Sequence, residues 1–246
     1  MWAYGFHLDK SQTAPLKRKC GATSARSRRR DLIELSGIYG LILLVIWTPR
    51  PYQWALWAIA AVCIISVIAM SFEGLMDMGI CTRNLWKSLW AVVLAAAIAL
   101  LGIAIAGRLH TLRLPPTPYL FIRHYGWYAI WAGLQQMILQ CFFLARSVRL
   151  IPNTTAAAGL SASLFAVAHL PNPVLTVITL ICGLASCLFF LRYRNLWPLA
   201  MAHAILGIAI AITVPGNIDH NMRVGISYLT WVDRPIISES VPFPRP

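Results

Sequence analysis

Residues 131–146 run WAGLQQMILQCFFLAR, and Gln135, Gln136 and Gln140 interrupt an otherwise apolar stretch. Further along, FAVAH joins Phe165 to His169, and HAILG runs from His203 to Gly207. Imidazole trades protons near neutral pH, since its unperturbed pKa is about 6.5. A carboxamide donates and accepts hydrogen bonds but has no nitrogen that takes a proton, so it cannot act as a general base. The set can therefore orient a water or a carbonyl through its glutamines and move a proton through His169 or His203. Inside a membrane, polar side chains are tolerated mainly where they face other helices or a water-filled cavity, which makes them site candidates. The plainer role stands beside this one: a membrane glutamine often only bonds a neighbouring helix, for under about 2 kcal/mol.

The elements that must carry these groups follow from composition. Of 246 residues, 59% are hydrophobic and 12% charged, too little polar surface to solvate a water-soluble globule of this size. A hydropathy window finds apolar segments near 32–48, 54–70, 89–106, 125–145, 155–171, 173–191 and 196–214. Some are close to the shortest spanning length, about 17 residues, and Glu34 weakens the first, so six or eight helices are the alternatives to seven. Period-two alternation is absent, and a segment in lipid must satisfy its own backbone. The expected fold is all-α, a polytopic integral membrane bundle of about seven helices. Gln136 and Gln140 then share a helix face and Gln135 points about 100° away. At about 1.5 Å rise per residue, Gln135, His169 and His203 lie about 16, 21 and 12 Å from the cytoplasmic helix ends, close enough in depth to meet in one cavity.

Residues 1–30 read as a basic cytoplasmic arm, 31–106 as N-terminal transmembrane helices, 107–124 as a proline-rich connection, 125–214 as the core, and 215–246 as a polar, extended external tail. Pro115, Pro116 and Pro118 are expected to break any helix in the connection. Of the 21 Lys and Arg residues, fourteen fall inside if the N-terminus is cytoplasmic, most of the excess lying in the arm; this predicts a cytoplasmic N-terminus in the plasma membrane. The first apolar run has no small-residue cleavage site after it and reads as a retained anchor. Next to a membrane span, the basic arm is expected to rest on anionic lipid and not on nucleic acid. The cysteines Cys20, Cys63, Cys81, Cys141, Cys182 and Cys187 lack metal-ligand spacing and are expected as free thiols.

QQMILQ (135–140), FAVAH (165–169) and HAILG (203–207) resemble, in order, the motifs of the CPBP intramembrane proteases. That is the CAAX protease and Abi group, which includes the type II CAAX prenyl endopeptidases. Its pattern runs E-E-x-x-x-R on one helix, F-x-x-x-H on a following one and H-x-x-x-N or a similar residue on a later one, and the resemblance covers roughly residues 71–212, including FEGLMDMGI. It implies an intramembrane endopeptidase in which the first glutamate activates water while histidines and asparagine support the developing oxyanion. Phe165, His169 and His203 keep the pattern; Gln135 and Gln136 replace the glutamates, Gln140 the arginine and Gly207 the asparagine. The glutamate and arginine compensate each other as charges, and here both are replaced by neutral amides, which still can share a hydrogen bond. None of the eight acidic residues lies in the last four helices. His169 and His203 could hold a divalent metal between them, but two histidines without a carboxylate or a third soft ligand make a poor zinc site, so no metal and no cofactor is expected.

Three functions remain open at this point. One is an atypical endopeptidase acting on a membrane-associated peptide or lipidated protein, with Gln135, His169 and His203 catalytic and Gln136, Gln140, Phe165 and Gly207 lining the site. In it, one histidine is the base and the other stabilises the oxyanion. The second is a non-catalytic family member that binds a peptide or lipid-linked ligand. The third is histidine-driven acid–base chemistry on a hydrophobic substrate without hydrolysis.

Overall fold

The computed structural model describes residues 25–71 and 74–231. Cys20, most of the basic arm and the end of the tail lie outside the described residues. Regular structure among the described residues is helical: α1 (Ala25–Trp47), α2 (Gln53–Met70), α3 (Leu85–Arg108), α4 (Pro118–Leu150), α5 (Thr154–Val167), α6 (Pro173–Tyr193) and α7 (Trp197–Thr213). Two short turns of helix, α8 (Gly216–Asp219) and α9 (Ile226–Leu229), follow. By length and composition α2, α3, α4 and α6 can cross a membrane, while α5 and α7 are shorter apolar helices. The chain is an all-α polytopic membrane protein, and each apolar window of the sequence falls on one of the long helices.

Helix ends depart from the sequence-based bounds for local reasons. The helix of residue 32 begins at Ala25, inside the stretch read as an arm, and Arg30 Nε donates to Glu34 Oε1 at 2.6 Å across one turn. Pro118 does not break a helix; it starts one. Thr117 caps α4 by accepting from Leu120 N at 3.3 Å, and proline suits the first helical position, where its missing N–H would have no partner. Asn172 and Pro173 repeat the arrangement at α6. The fifth helix ends at Val167, so His169 sits in the turn beyond it. Pro171, four residues beyond Val167, has no N–H with which to carry the helix on.

Within α4, residues Ile138–Leu144 form a π-helical segment. Its wider turns put Leu139, Gln140, Phe142, Phe143 and Leu144 all in the interior, where a strict α-helix would turn part of such a run outward. The four apolar side chains among them form the core with Leu35 and Ile38 of α1, and with Phe190 of α6. Helix α7 packs against α3 and α4, and α5 pairs with α6. Gly183 makes that pairing close: a Cβ added there would meet Ala162 and Phe165 at 3.4–3.5 Å.

Two fully buried asparagines tie the ends of α6 to other segments. At one end Asn195 Nδ2 donates to Cys81 O at 3.0 Å and Arg83 O at 2.8 Å, and Oδ1 accepts from Trp197 N. Beside it Gly79, at φ +75°, lies against the Phe190 ring, where any side chain would collide. At the other end Asn172 caps α6 through Leu175 N and donates to Asp219 O at 2.7 Å and Arg223 O at 3.0 Å. The tail up to residue 231 is therefore docked on the bundle, whereas its polar, proline-rich sequence predicts an extended segment. Arg113 fixes the proline-rich connection in the same region, donating to Asn221 Oδ1 at 2.8 Å and to the carbonyls of Ala211 and Val214. Burial holds the Asp219 carboxyl above the usual carboxylate range.

The charges of α1 are compensated by the end of α4. Arg146, 1% exposed, donates from Nε and Nη2 to Glu34 Oε2 at 2.9 and 2.8 Å, and Nη2 also reaches Ser71 Oγ at 3.1 Å. Arg149 forks onto Asp31 at 2.9 and 2.7 Å. Each pair of partners is three residues apart on its helix, so the two contacts lie one turn apart along one helix crossing. Glu34, which weakens the first window as an apolar span, is thus the counter-charge of a buried arginine. Removing one partner of a buried pair leaves the other uncompensated, a cost of about 3–5 kcal/mol. Glu34→Ala should lower the melting temperature in detergent strongly, and Glu34→Leu with Arg146→Met should recover most of the loss. Equal destabilisation by the double variant would show that the charges are not what holds this crossing.

Candidate functional site: a polar relay on a large apolar cavity

A cavity of about 1320 Å³ opens among the helices, lined mainly by apolar side chains from α1 to α7 and by part of the tail. Four of the polar residues singled out from sequence, Gln135, Gln136, His169 and His203, line it together with Phe165 and Gly207. Gln140 lies behind Gln136, buried.

These side chains form a chain of hydrogen bonds with a definite direction. Ser186 on α6 gives its hydroxyl proton to Gly183 O at 2.9 Å. A hydroxyl has one proton, so Ser186 Oγ accepts from Gln140 Nε2, 3.2 Å away. The same amide nitrogen donates to Gln136 Oε1 at 3.1 Å. Gln136 has then used its acceptor and presents Nε2 to His203 Nδ1 at 3.0 Å. Since Gln136 donates, Nδ1 of His203 holds the lone pair and Nε2 carries the proton. His169 is held the other way. Its Nδ1 lies 2.7 Å from Phe165 O, and a carbonyl only accepts, so Nδ1 carries the proton and Nε2 keeps the lone pair. The two imidazoles have opposite tautomers: His169 offers an acceptor and His203 a donor. Phe165 stands between them, with its ring 4.8 Å from the His169 ring and 6.1 Å from that of His203.

The shared face of Gln136 and Gln140 is thus realised, and the sharing is a direct bond even though a π-helical segment begins between them. Gln135 is half-buried and lies against the cavity on its own side of the helix. Gly207 is buried, and a Cβ there would overlap the hydroxyl of Tyr128, which also lines the cavity. Two participants escaped the sequence reading. Ser186 looks like any small residue of an apolar helix, and Tyr128 like an interfacial aromatic; only the packing of α6 and α7 against α4 brings them to the motif residues. Two imidazoles among neutral amides do not suit zinc, and among the described residues no cluster of three or more His, Cys, Asp or Glu side chains is arranged to hold a metal.

Residues 128–209 match the family model described as type II CAAX prenyl endopeptidase, Rce1-like. The matched stretch is the helical core that carries the polar row. The match begins at Tyr128, ends at Ala209 and takes in all three motifs, lying inside the 71–212 expected from them. No curated protein and no solved structure matches the chain.

The relay yields a direct test. Gln136→Glu replaces a donor by a carboxylate, which only accepts, and Nδ1 of His203 must then carry the proton. Nitrogen-15 NMR of histidine-labelled protein at neutral pH should show the His203 tautomer inverted in this variant and that of His169 unchanged. An unaltered His203 spectrum would mean that Gln136 does not set its tautomer.

Proposed function

We propose that the chain is an atypical intramembrane endopeptidase of the CAAX-protease type, in which proton transfer is carried by histidine and not by glutamate. The observation that carries this reading is the opposite hydrogen bonding of the two imidazoles, which leaves one lone pair and one N–H available at the same cavity. His169 Nε2 is the base. It takes a proton from water as the water oxygen attacks the scissile carbonyl carbon, and it returns that proton to the amide nitrogen as the C–N bond breaks. His203 Nε2–H donates to the carbonyl oxygen as negative charge gathers there. Gln135 orients the water or the carbonyl, and Gln136 and Gln140 act through His203 as positioning residues. The products are a carboxylic acid and an amine, and the proton balance closes on His169.

The apolar cavity suits a substrate that brings hydrocarbon with it, a membrane-associated peptide or a lipidated protein. In this reading the chain sits in the plasma membrane with its N-terminus in the cytoplasm. The rival is a family member that binds such a ligand without cleaving it. Mass spectrometry of membrane-associated peptides separates them, comparing cells that make the parent with cells that make His169→Ala or His203→Ala at equal, folded levels. Products present with the parent should fall about 10²–10⁴-fold in His169→Ala and about 10²–10³-fold in His203→Ala. Turnover by the parent should also fall on acidification, as the base takes up a proton. Identical peptide sets from all three would favour binding without cleavage.

A further inference from the structure

Gly207 lies one turn beyond His203 on the same face of α7. Position 207 has no room for a side chain, because the Tyr128 hydroxyl and the edge of its ring stand where the Cβ would be. The space into which an asparagine at 207 would grow is therefore filled by a phenol from another helix. Tyr128 sits on α4 two turns before Gln135 and Gln136, and the packing of α4 against α7 brings its hydroxyl to Gly207. The cavity that Tyr128 reaches also holds Gln135, His169 and His203. A phenol keeps its proton at neutral pH and is a good hydrogen-bond donor.

We propose that the Tyr128 hydroxyl is a second donor of this site, binding the substrate carbonyl oxygen alongside His203 Nε2–H in place of the side chain that Gly207 lacks. The proposal rests on the hydrolytic reading for its effect on turnover. The exchange of space between Tyr128 and Gly207 does not, and can be measured on folded protein alone.

The test uses the full chain in detergent and, as probe, an internally quenched farnesylated peptide with one scissile amide after the modified cysteine. Tyr128→Phe keeps the ring and removes the donor. It should melt like the parent and lower kcat about 10²-fold, with KM changed less than about threefold. Tyr128→Ala with Gly207→Asn puts a donor back on α7 and should cleave at least about tenfold faster than Tyr128→Ala alone, by the same donor argument. Gly207→Ala should lower the melting temperature of the parent and leave that of Tyr128→Ala unchanged. If the parent cleaves and Tyr128→Phe cleaves equally well, Tyr128 only packs and the proposal is overturned while the hydrolytic reading stands. If the parent leaves the peptide intact but Gly207→Ala behaves as stated, the hydrolytic reading fails for this substrate class and the role of Tyr128 in turnover falls with it. If Gly207→Ala is harmless in the parent, the shared space itself is refuted.

Discussion

The hydroxyl of Ser186 has one proton, and it goes to the Gly183 carbonyl. Every later bond in the row that ends at His203 inherits its direction from that one. Gln140 must donate to Ser186, Gln136 must accept from Gln140, and His203 must accept at Nδ1. A carboxamide differs from a carboxylate in having two unlike ends, so a row of amides works as a directional relay where carboxylates would only accept. The chemistry open to His203 is in this sense decided two helices away. Gln140 Oε1, buried without a partner, is the cost of fixing the row in this sense, on the order of 1–3 kcal/mol for a lone buried acceptor.

The ion pairs of this bundle lie apart from the row of amides. One group of ion pairs lies where the end of α4 crosses α1, with Arg146 and Arg149 on Glu34 and Asp31, while Asp219 is buried separately in the docked tail. The cavity-facing motif carries only neutral amides and imidazoles. Burying an isolated ion is far more costly than burying a satisfied amide. A row with no carboxylate needs no arginine to compensate it, so three neutral amides at 135, 136 and 140 are coherent together where a single charge among them would not be.

Much of the architecture was legible in the sequence because membrane helices announce themselves by length and apolarity alone. The windows fall on α1 to α7 among the described residues, and the three motifs fall inside the matched core. What escaped depends on single-residue chemistry or on distant contacts. Pro118 reads as a breaker unless its position relative to Thr117 is known, since the same ring ends a helix in its interior and starts one at its first residue. Asn172 and Asn195 lie in links of a few residues and look like ordinary loop polarity; their clamping role needs the carbonyls of Asp219, Arg223, Cys81 and Arg83, which are far off in sequence. Arg146 fits the charge rule for cytoplasmic ends equally well whether it is solvated or, as here, buried on Glu34. The π-helical segment has no sequence signature by which Ile138–Leu144 could be told from ordinary helix.

The two histidines are held by different means, and this ties the tail to the site. His203 lies inside α7, so helical backbone fixes it and Gln136 sets its ring. His169 lies in a turn, and a turn needs its own anchor. That anchor is Asn172: its backbone N–H donates to His169 O at 3.1 Å, while its side chain caps α6 and holds the carbonyls of Asp219 and Arg223. Gly225 N in turn donates to Leu170 O at 2.8 Å. The turn bearing His169 is thus braced on one side by α6 and on the other by the docked tail, whose residues Asn221, Met222 and Arg223 also line the cavity. A segment whose composition suggests an unstructured extension therefore forms part of the wall of the site and part of the support of one of its imidazoles. The motif residues alone do not define the site; its geometry depends equally on the two asparagine clamps that fix where α6 begins and ends.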